Sequence, residues 1–236
     1  MMQATRSVWS VFNADLPVLV TAYRFGPARV NALAVGGQSG LIVLSPPYRV
    51  QQRVFDELGS YGPVRALVAP NAFHHMGIPE WKRRFPAAAV FAPAQSMARV
   101  EAKTGIANVR PLADAKALTG AAVELTDMPY YRTGEALVRI RTPQGLAWYL
   151  TDLVINISEL PPSPLWKLVF RLSYGVGLRY NRIGSLFMVR DKHALRQWLT
   201  QEYEKDRPRW LILAHGNVVD LAADPQAARS LFPNAR

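Results

Sequence analysis

The chain has four histidines, and three of them stand where an apolar run gives way to glycine. His74 and His75 follow Val64-Arg65-Ala66-Leu67-Val68-Ala69-Pro70 and precede Gly77. His215 follows Trp210-Leu211-Ile212-Leu213-Ala214 and precedes Gly216. Strand ends of this kind are where α/β folds open backbone and side chains outward for chemistry. Imidazole is also the commonest protein ligand for catalytic transition metals. The fourth histidine, His193, lies in a helical stretch and reads as a surface residue. Adjacent residues on a strand point to opposite faces, so His74 and His75 share one ion only if the chain turns between them. A loop entering a helix at Pro79 would supply that turn.

The elements that must hold these residues are short and punctuated. Leu16–Phe25, Asn31–Val35 and Leu41–Leu44 are β-rich and separated by Gly26-Pro27 and Gly36-Gly37. Tyr48–Leu58 has helical spacing and Val64–Ala69 the character of a buried strand. Ile78–Phe85 reads as a helix with Pro79 in its first turn. Ala88–Ala92 follows as a strand and Ala94–Thr104 as a helix ending at Gly105. Further strands are expected at Val123–Asp127, Ala136–Thr142, Leu146–Leu150 and Trp210–Ala214, with helices at Lys192–Glu204 and Pro225–Leu231. Strand meanders joined to strand–helix units, in one half and then the other, imply two sheets packed face to face with helices outside.

With 236 residues, half of them apolar and 19% charged, the chain has enough material for a substantial core. It has no cysteine, which excludes disulfides, thiolate ligands and a cysteine nucleophile. The N-terminus lacks the apolar core of a signal peptide, and no apolar stretch approaches the roughly 18 residues of a membrane span. The expected location is therefore cytoplasmic. A net charge of +11 admits a nucleic-acid partner. The basic residues are scattered, however, with Lys82-Arg83-Arg84 the one compact cluster. A solvated basic surface is the preferred reading over a nucleic-acid groove. A basic field would also draw in small anionic substrates, so charge alone does not choose.

These segments together resemble the metallo-β-lactamase superfamily, and in particular its small degenerate members of the DUF4336 type. The resemblance covers nearly the whole chain. Asn31-Ala32-Leu33 and Gly40-Leu41-Ile42-Val43-Leu44-Ser45-Pro46 look like the first hairpin. Pro70-Asn71-Ala72-Phe73-His74-His75-Met76-Gly77 looks like the metal-binding loop. Leu150-Thr151-Asp152 looks like the strand end that carries a bridging aspartate, and Ala214-His215-Gly216 like the late histidine.

The family loop runs His-x-His-x-Asp-His-x-Gly. Matched through His75 and Gly77, this chain has Pro70 and Ala72 at the first two ligand positions and His74 at the aspartate. Tyr131 falls near the third-motif histidine, and Ser45 where an acidic residue usually ends the first hairpin. The resemblance thus implies an α/β (α+β) fold, a four-layer αββα sandwich in a single domain spanning 1–236. An apolar and basic insertion falls at about 160–190. It implies one divalent transition metal held by His74, His75, Asp152 and His215. Zn²⁺ is the expected ion, and Fe²⁺, Mn²⁺ and Ni²⁺ suit the same N/O donor set. Asp152 would be both ligand and proton acceptor, and Tyr131 a hydrogen-bond donor lining the site.

The function this implies is mononuclear metal-dependent hydrolysis of an ester, thioester, lactone or phosphoester. Two rivals remain. One is a catalytically inactive binding or scaffold protein of the same fold, and the other a nucleic-acid processing member of the superfamily. Segment 165–189 is dense in apolar residues, with Lys167 and Arg171 forming a basic stripe. An interfacial membrane helix, a homodimer contact, a lid and a buried helix pair are all readings of it.

Overall fold

The computed structural model describes residues 7–26, 28–160, 163–173 and 175–233. Its first sheet opens as an antiparallel meander of β1 (Ser10–Asn13), β2 (Val18–Phe25), β3 (Ala28–Gly36) and β4 (Leu41–Leu44). Three parallel strands extend it: β5 (Val64–Val68), β6 (Ala89–Ala92) and β7 (Arg110–Pro111). Parallel neighbours need crossovers. These carry α1 (Gln52–Asp56), α2 (Ile78–Arg84) and α3 (Met97–Thr104).

After the short α4 (Lys116–Thr119), a second sheet forms from β8 (Val123–Asp127), β9 (Ala136–Thr142) and β10 (Gly145–Leu150). A two-stranded ribbon, β11 (Val154–Ile157) with β12 (Gly177–Tyr180), flanks α5 (Pro164–Ser173). α6 (Arg182–Met188) and α7 (Lys192–Asp206) follow. The chain then returns to the second sheet with β13 (Trp210–Leu213) and β14 (Val219–Asp220), and α8 (Pro225–Leu231) closes the described fold.

Alternation along the strands decides the layering. Ile42 and Leu44 of β4 face Ala147 and Tyr149 of β10 and Ile212 of β13 in a core between the sheets. Leu41 and Val43 instead face Val54, Ile78, Trp81 and Val100 of the first helices. Trp148, Leu150, Leu211 and Leu213 face Leu195, Leu199 and Leu231 of α7 and α8. Side chains of period two therefore feed three cores, and the layers run helix, sheet, sheet, helix. Each fully buried Leu, Ile or Val contributes about 1.5–3 kcal/mol.

One polar cluster fastens α7 to the second sheet. The guanidinium of Arg139 on β9, 2% exposed, pairs with Glu202 and Asp206 of α7 and lies 3.3 Å from Glu124 of β8. Trp148 Nε1 donates to the same Asp206 carboxylate at 3.0 Å.

Several expectations shift. The helix expected from Tyr48 begins only at Gln52, because Arg49 holds the left-handed region (φ 54°), which a helix does not admit. The helix expected from Ala94 starts as a 3-10 turn over Ala94–Ser96 before α3. Strands β1, β7, β11, β12 and β14 are not among those expected from sequence; β7 and β14 have only two residues each. In the segment 165–189, Leu165, Leu168, Leu186 and Phe187 are more than half exposed, which departs from a buried helix pair. No helix among the described residues is long and apolar enough to cross a membrane.

Candidate metal centre

The site forms where β4, β5, β10 and β13 end. Directly after β5, the Asn71 side chain accepts hydrogen bonds from the Phe73 and His74 amides, at 2.8 and 3.0 Å. This side-chain turn breaks the extended chain. His74 then points into the cleft, where Nδ1 lies 2.9 Å from Ser45 Oγ. Ser45, at the end of β4, is held in turn by Tyr149 OH at 2.8 Å and adopts a left-handed φ of 52°.

β10 ends in Thr151 and Asp152, and β13 in Ala214 and His215. Asn31 of β3 ties the His215 loop to the first sheet: its Nδ2 donates to the carbonyls of Leu213 and Gly216, at 2.8 and 2.7 Å. Gly216 is required here, since it has φ +121° and a Cβ would collide with the Asn156 carbonyl.

His74, Asp152 and His215 converge. Asp152 Oδ1 lies 2.9 Å from His215 Nε2 and 3.4 Å from His74 Nε2, and the two imidazole rings meet edge to face at 5.4 Å. One ligand atom from each of the three residues lies within 4.8 Å of the other two. Asp152 Oδ2 is held separately by Asn71 Nδ2 at 2.7 Å. Burial works to raise the Asp152 carboxyl, but the His74 charge and the hydrogen bonds from His215 and His74 outweigh it and hold it well below the usual carboxylate range.

A second carboxyl backs the first. Glu135, completely buried at the start of β9, accepts from Asn71 Nδ2 at 3.0 Å and from Thr151 Oγ1. Burial, and then the charge of Asp152, push it up to about 8. At neutral pH one carboxyl of the pair is therefore ionised and the other protonated.

The donor set fits a metal ion. Two imidazole nitrogens and a carboxylate oxygen suit Zn²⁺ and its first-row neighbours. The outer contacts match the orienting shell such ligands use: Ser45 on the far nitrogen of His74, and Asn71 on the far oxygen of Asp152.

The expected fourth ligand, His75, is not in this group of three. The structure does not bring it to the other three. Its Nδ1 donates to the Ala72 carbonyl at 3.0 Å. The turn at Asn71 gives His74 to the cleft. Burial, opposed by the Ala72 hydrogen bond but joined by the charges of Arg99, His74 and Lys103, lowers the pKa of His75.

Tyr131 is buried, and its hydroxyl has no hydrogen-bond partner among the described residues. Burial and the charges of Glu135 and Asp152 push it well above the ordinary tyrosine range, so it remains a neutral donor. Asn71, Thr151 and Glu135 are participants the residue patterns did not single out. Glu135 carried a usable signal: a lone acid opening the apolar run Ala136-Leu137-Val138.

The cleft opens on the His215 side, as side-chain exposure rises from 6% at His74 to 16% at Asp152 and 21% at His215. A depression of about 450 Å³ there is lined by His215, Gly216, Asn31 and Arg29, among others.

The architecture is that of the metallo-β-lactamase fold. A metallo-β-lactamase from Erythrobacter litoralis, crystallised with β-mercaptoethanol in the active site, superposes with TM-score 0.61 at 14% identity, covering 98% of this chain and 99% of that one. FIM-1 from Pseudomonas aeruginosa, in its mono-zinc form, gives 0.59 at 12% identity over 95% and 94%. The enzyme from Pontibacter korlensis gives 0.57 at 13% over 96% and 98%. No protein-family model matches the chain, and no curated protein matches it significantly. The DUF4336-like placement thus stays a resemblance.

Proposed function

We propose that this chain is a mononuclear metal-dependent hydrolase. The observation that carries the reading is the convergence of His74, Asp152 and His215 on one cleft. These three side chains would hold the ion, and Zn²⁺ is the first candidate; that the FIM-1 neighbour was crystallised with one zinc supports a single-ion site on this fold. When bound, the ion supplies the Lewis acidity that activates water and polarises the scissile bond.

The protein's own groups do the rest. Ser45 and Asn71 fix the orientation of His74 and Asp152, so the donors are arranged before any ligand arrives. Asp152, held well below the usual range, serves better as ligand and orienter than as proton acceptor. Tyr131 offers a neutral hydroxyl for charge that develops on the substrate. Ester, thioester, lactone and phosphoester bonds all suit this arrangement.

A specific feature favours a second reading. Pro70, Ala72 and Tyr131 occupy the positions where the resemblance expects the ligands of a first metal, so the chain fits a scaffold that has lost catalysis. Metal analysis of protein purified without chelator decides between them. The hydrolase reading expects one equivalent of transition metal, lost in His74→Ala and His215→Ala, and metal-dependent turnover in a panel of ester, thioester, lactone and phosphoester substrates. Metal-free protein, or protein whose metal survives both substitutions, overturns it.

A further inference from the structure

A second cleft, of about 730 Å³, adjoins the first and shares Val20, Ala28, Arg29 and Asn31 with it. Four arginines line it, Arg24, Arg29, Arg49 and Arg53, together with Tyr23 and Tyr48; no carboxylate does, among the described residues.

Three features characterise these arginines. Arg24 and Arg29 are direct partners in the β2–β3 ladder, a like-charged cross-strand pair that disfavours the hairpin. Arg49 holds a left-handed φ of 54° with its guanidinium 4.9 Å from the Tyr48 ring, a strained backbone that directs a charge into the cleft. Some surface arginines, Arg84, Arg110, Arg141 and Arg209, pair with a carboxylate, while others such as Arg65 and Arg83 do not among the described residues. Arg24, Arg29, Arg49 and Arg53 have no carboxylate within 4.0 Å among the described residues. The Arg53 charge acts on Glu57, whose oxygens accept from Ser7 and from the Val8 and Trp9 amides.

We propose that this cleft binds a small phosphorylated molecule of about nucleotide size, its phosphate held among the four arginines and its other end reaching the His215 cleft. Guanidinium forks match phosphate oxygens, and the volume falls in the range of small-molecule sites. Tyr23 lines this cleft, and its hydroxyl also feels the charge of Asp152, so the cleft lies within electrostatic reach of the metal site. The assignment names a substrate class for the hydrolase, and rests on that reading only for what happens to the molecule once bound.

Calorimetric titration of chelator-treated protein with inorganic pyrophosphate tests the cleft without catalysis. Saturable binding is expected, weaker by about tenfold or more in Arg29→Gln and in Arg49→Gln, unchanged in Arg83→Gln on α2, and weakened by salt. No binding, or equal binding in all three variants, overturns the proposal. Tighter binding of a single-stranded oligonucleotide than of pyrophosphate, lost in the same two variants, would also overturn it in favour of nucleic acid. The hydrolase reading fails separately: protein that carries no metal yet binds pyrophosphate through Arg29 and Arg49 keeps the cleft and loses the enzyme.

Discussion

Asn71 Nδ2 donates to Asp152 Oδ2 at 2.7 Å, which leaves Oδ1 of the same carboxylate to face His74 and His215. The same amide nitrogen also lies 3.0 Å from Glu135 Oε2 and from Thr151 Oγ1, while the amide oxygen shapes the turn that aims His74. Truncation in Asn71→Ala removes both functions together. It is expected to weaken metal affinity by about 10–100-fold and stability by about 1–3 kcal/mol through the buried carboxyls left unpaired. Competition with a chromophoric chelator and urea titration measure the two effects, and near-wild-type metal affinity would show that Asn71 does not orient the ligands.

The two adjacent histidines should behave oppositely. His75→Gln is expected to retain its full metal content, because that ring lies outside the group formed by His74, Asp152 and His215. His74→Gln should lose the metal. Elemental analysis of both variants checks this, and equal loss from the two would restore His75 as a ligand.

Glu135 makes metal-free stability depend on pH. Its folded pKa, about 8, lies above the ordinary value of 4.5, so the folded state binds the proton more tightly than the unfolded chain does. The stability this contributes is fully present below about pH 4.5 and is lost as pH rises towards 8. Asp152 has the opposite sign, and its contribution is lost only as pH falls below its ordinary value of 3.8. The melting temperature of chelated protein should therefore decline between pH 5 and pH 8, and Glu135→Gln should flatten the decline. An unchanged slope in that variant would assign the dependence to another group.

Arg139→Met isolates the fastening of α7 from the site. It strands Glu202 and Asp206 without their buried partner, at an expected cost of about 3–5 kcal/mol. Metal stoichiometry should survive, since the cluster lies on the outer face of the second sheet. Chemical denaturation reads the first and elemental analysis the second.

Much of the fold was legible in residue order. The bounds of β4 and α8 coincide with the apolar run Leu41–Leu44 and with the Pro225 start that Asp224 caps. Alternation and end signals are local, and they act wherever the chain goes. The partnership of Asn71, Thr151 and Glu135 was not legible, because it depends on the ends of β5 and β10 meeting the start of β9 in space. The direction of His74 against His75 was hidden for a related reason: it is set by a side-chain turn three residues upstream, and Asn71 is as ordinary in sequence as any loop asparagine.

The ligands come from opposite halves of the sandwich: His74 from the loop after β5, and Asp152 and His215 from the ends of β10 and β13. An ion gripped by all three would act as a rivet through the seam, so loading and cohesion become one equilibrium. At a free concentration a thousandfold above its dissociation constant, such an ion adds about 4 kcal/mol against unfolding. Scarcity of the metal would then loosen the whole particle and expose it to proteolysis, well before any question of turnover arises.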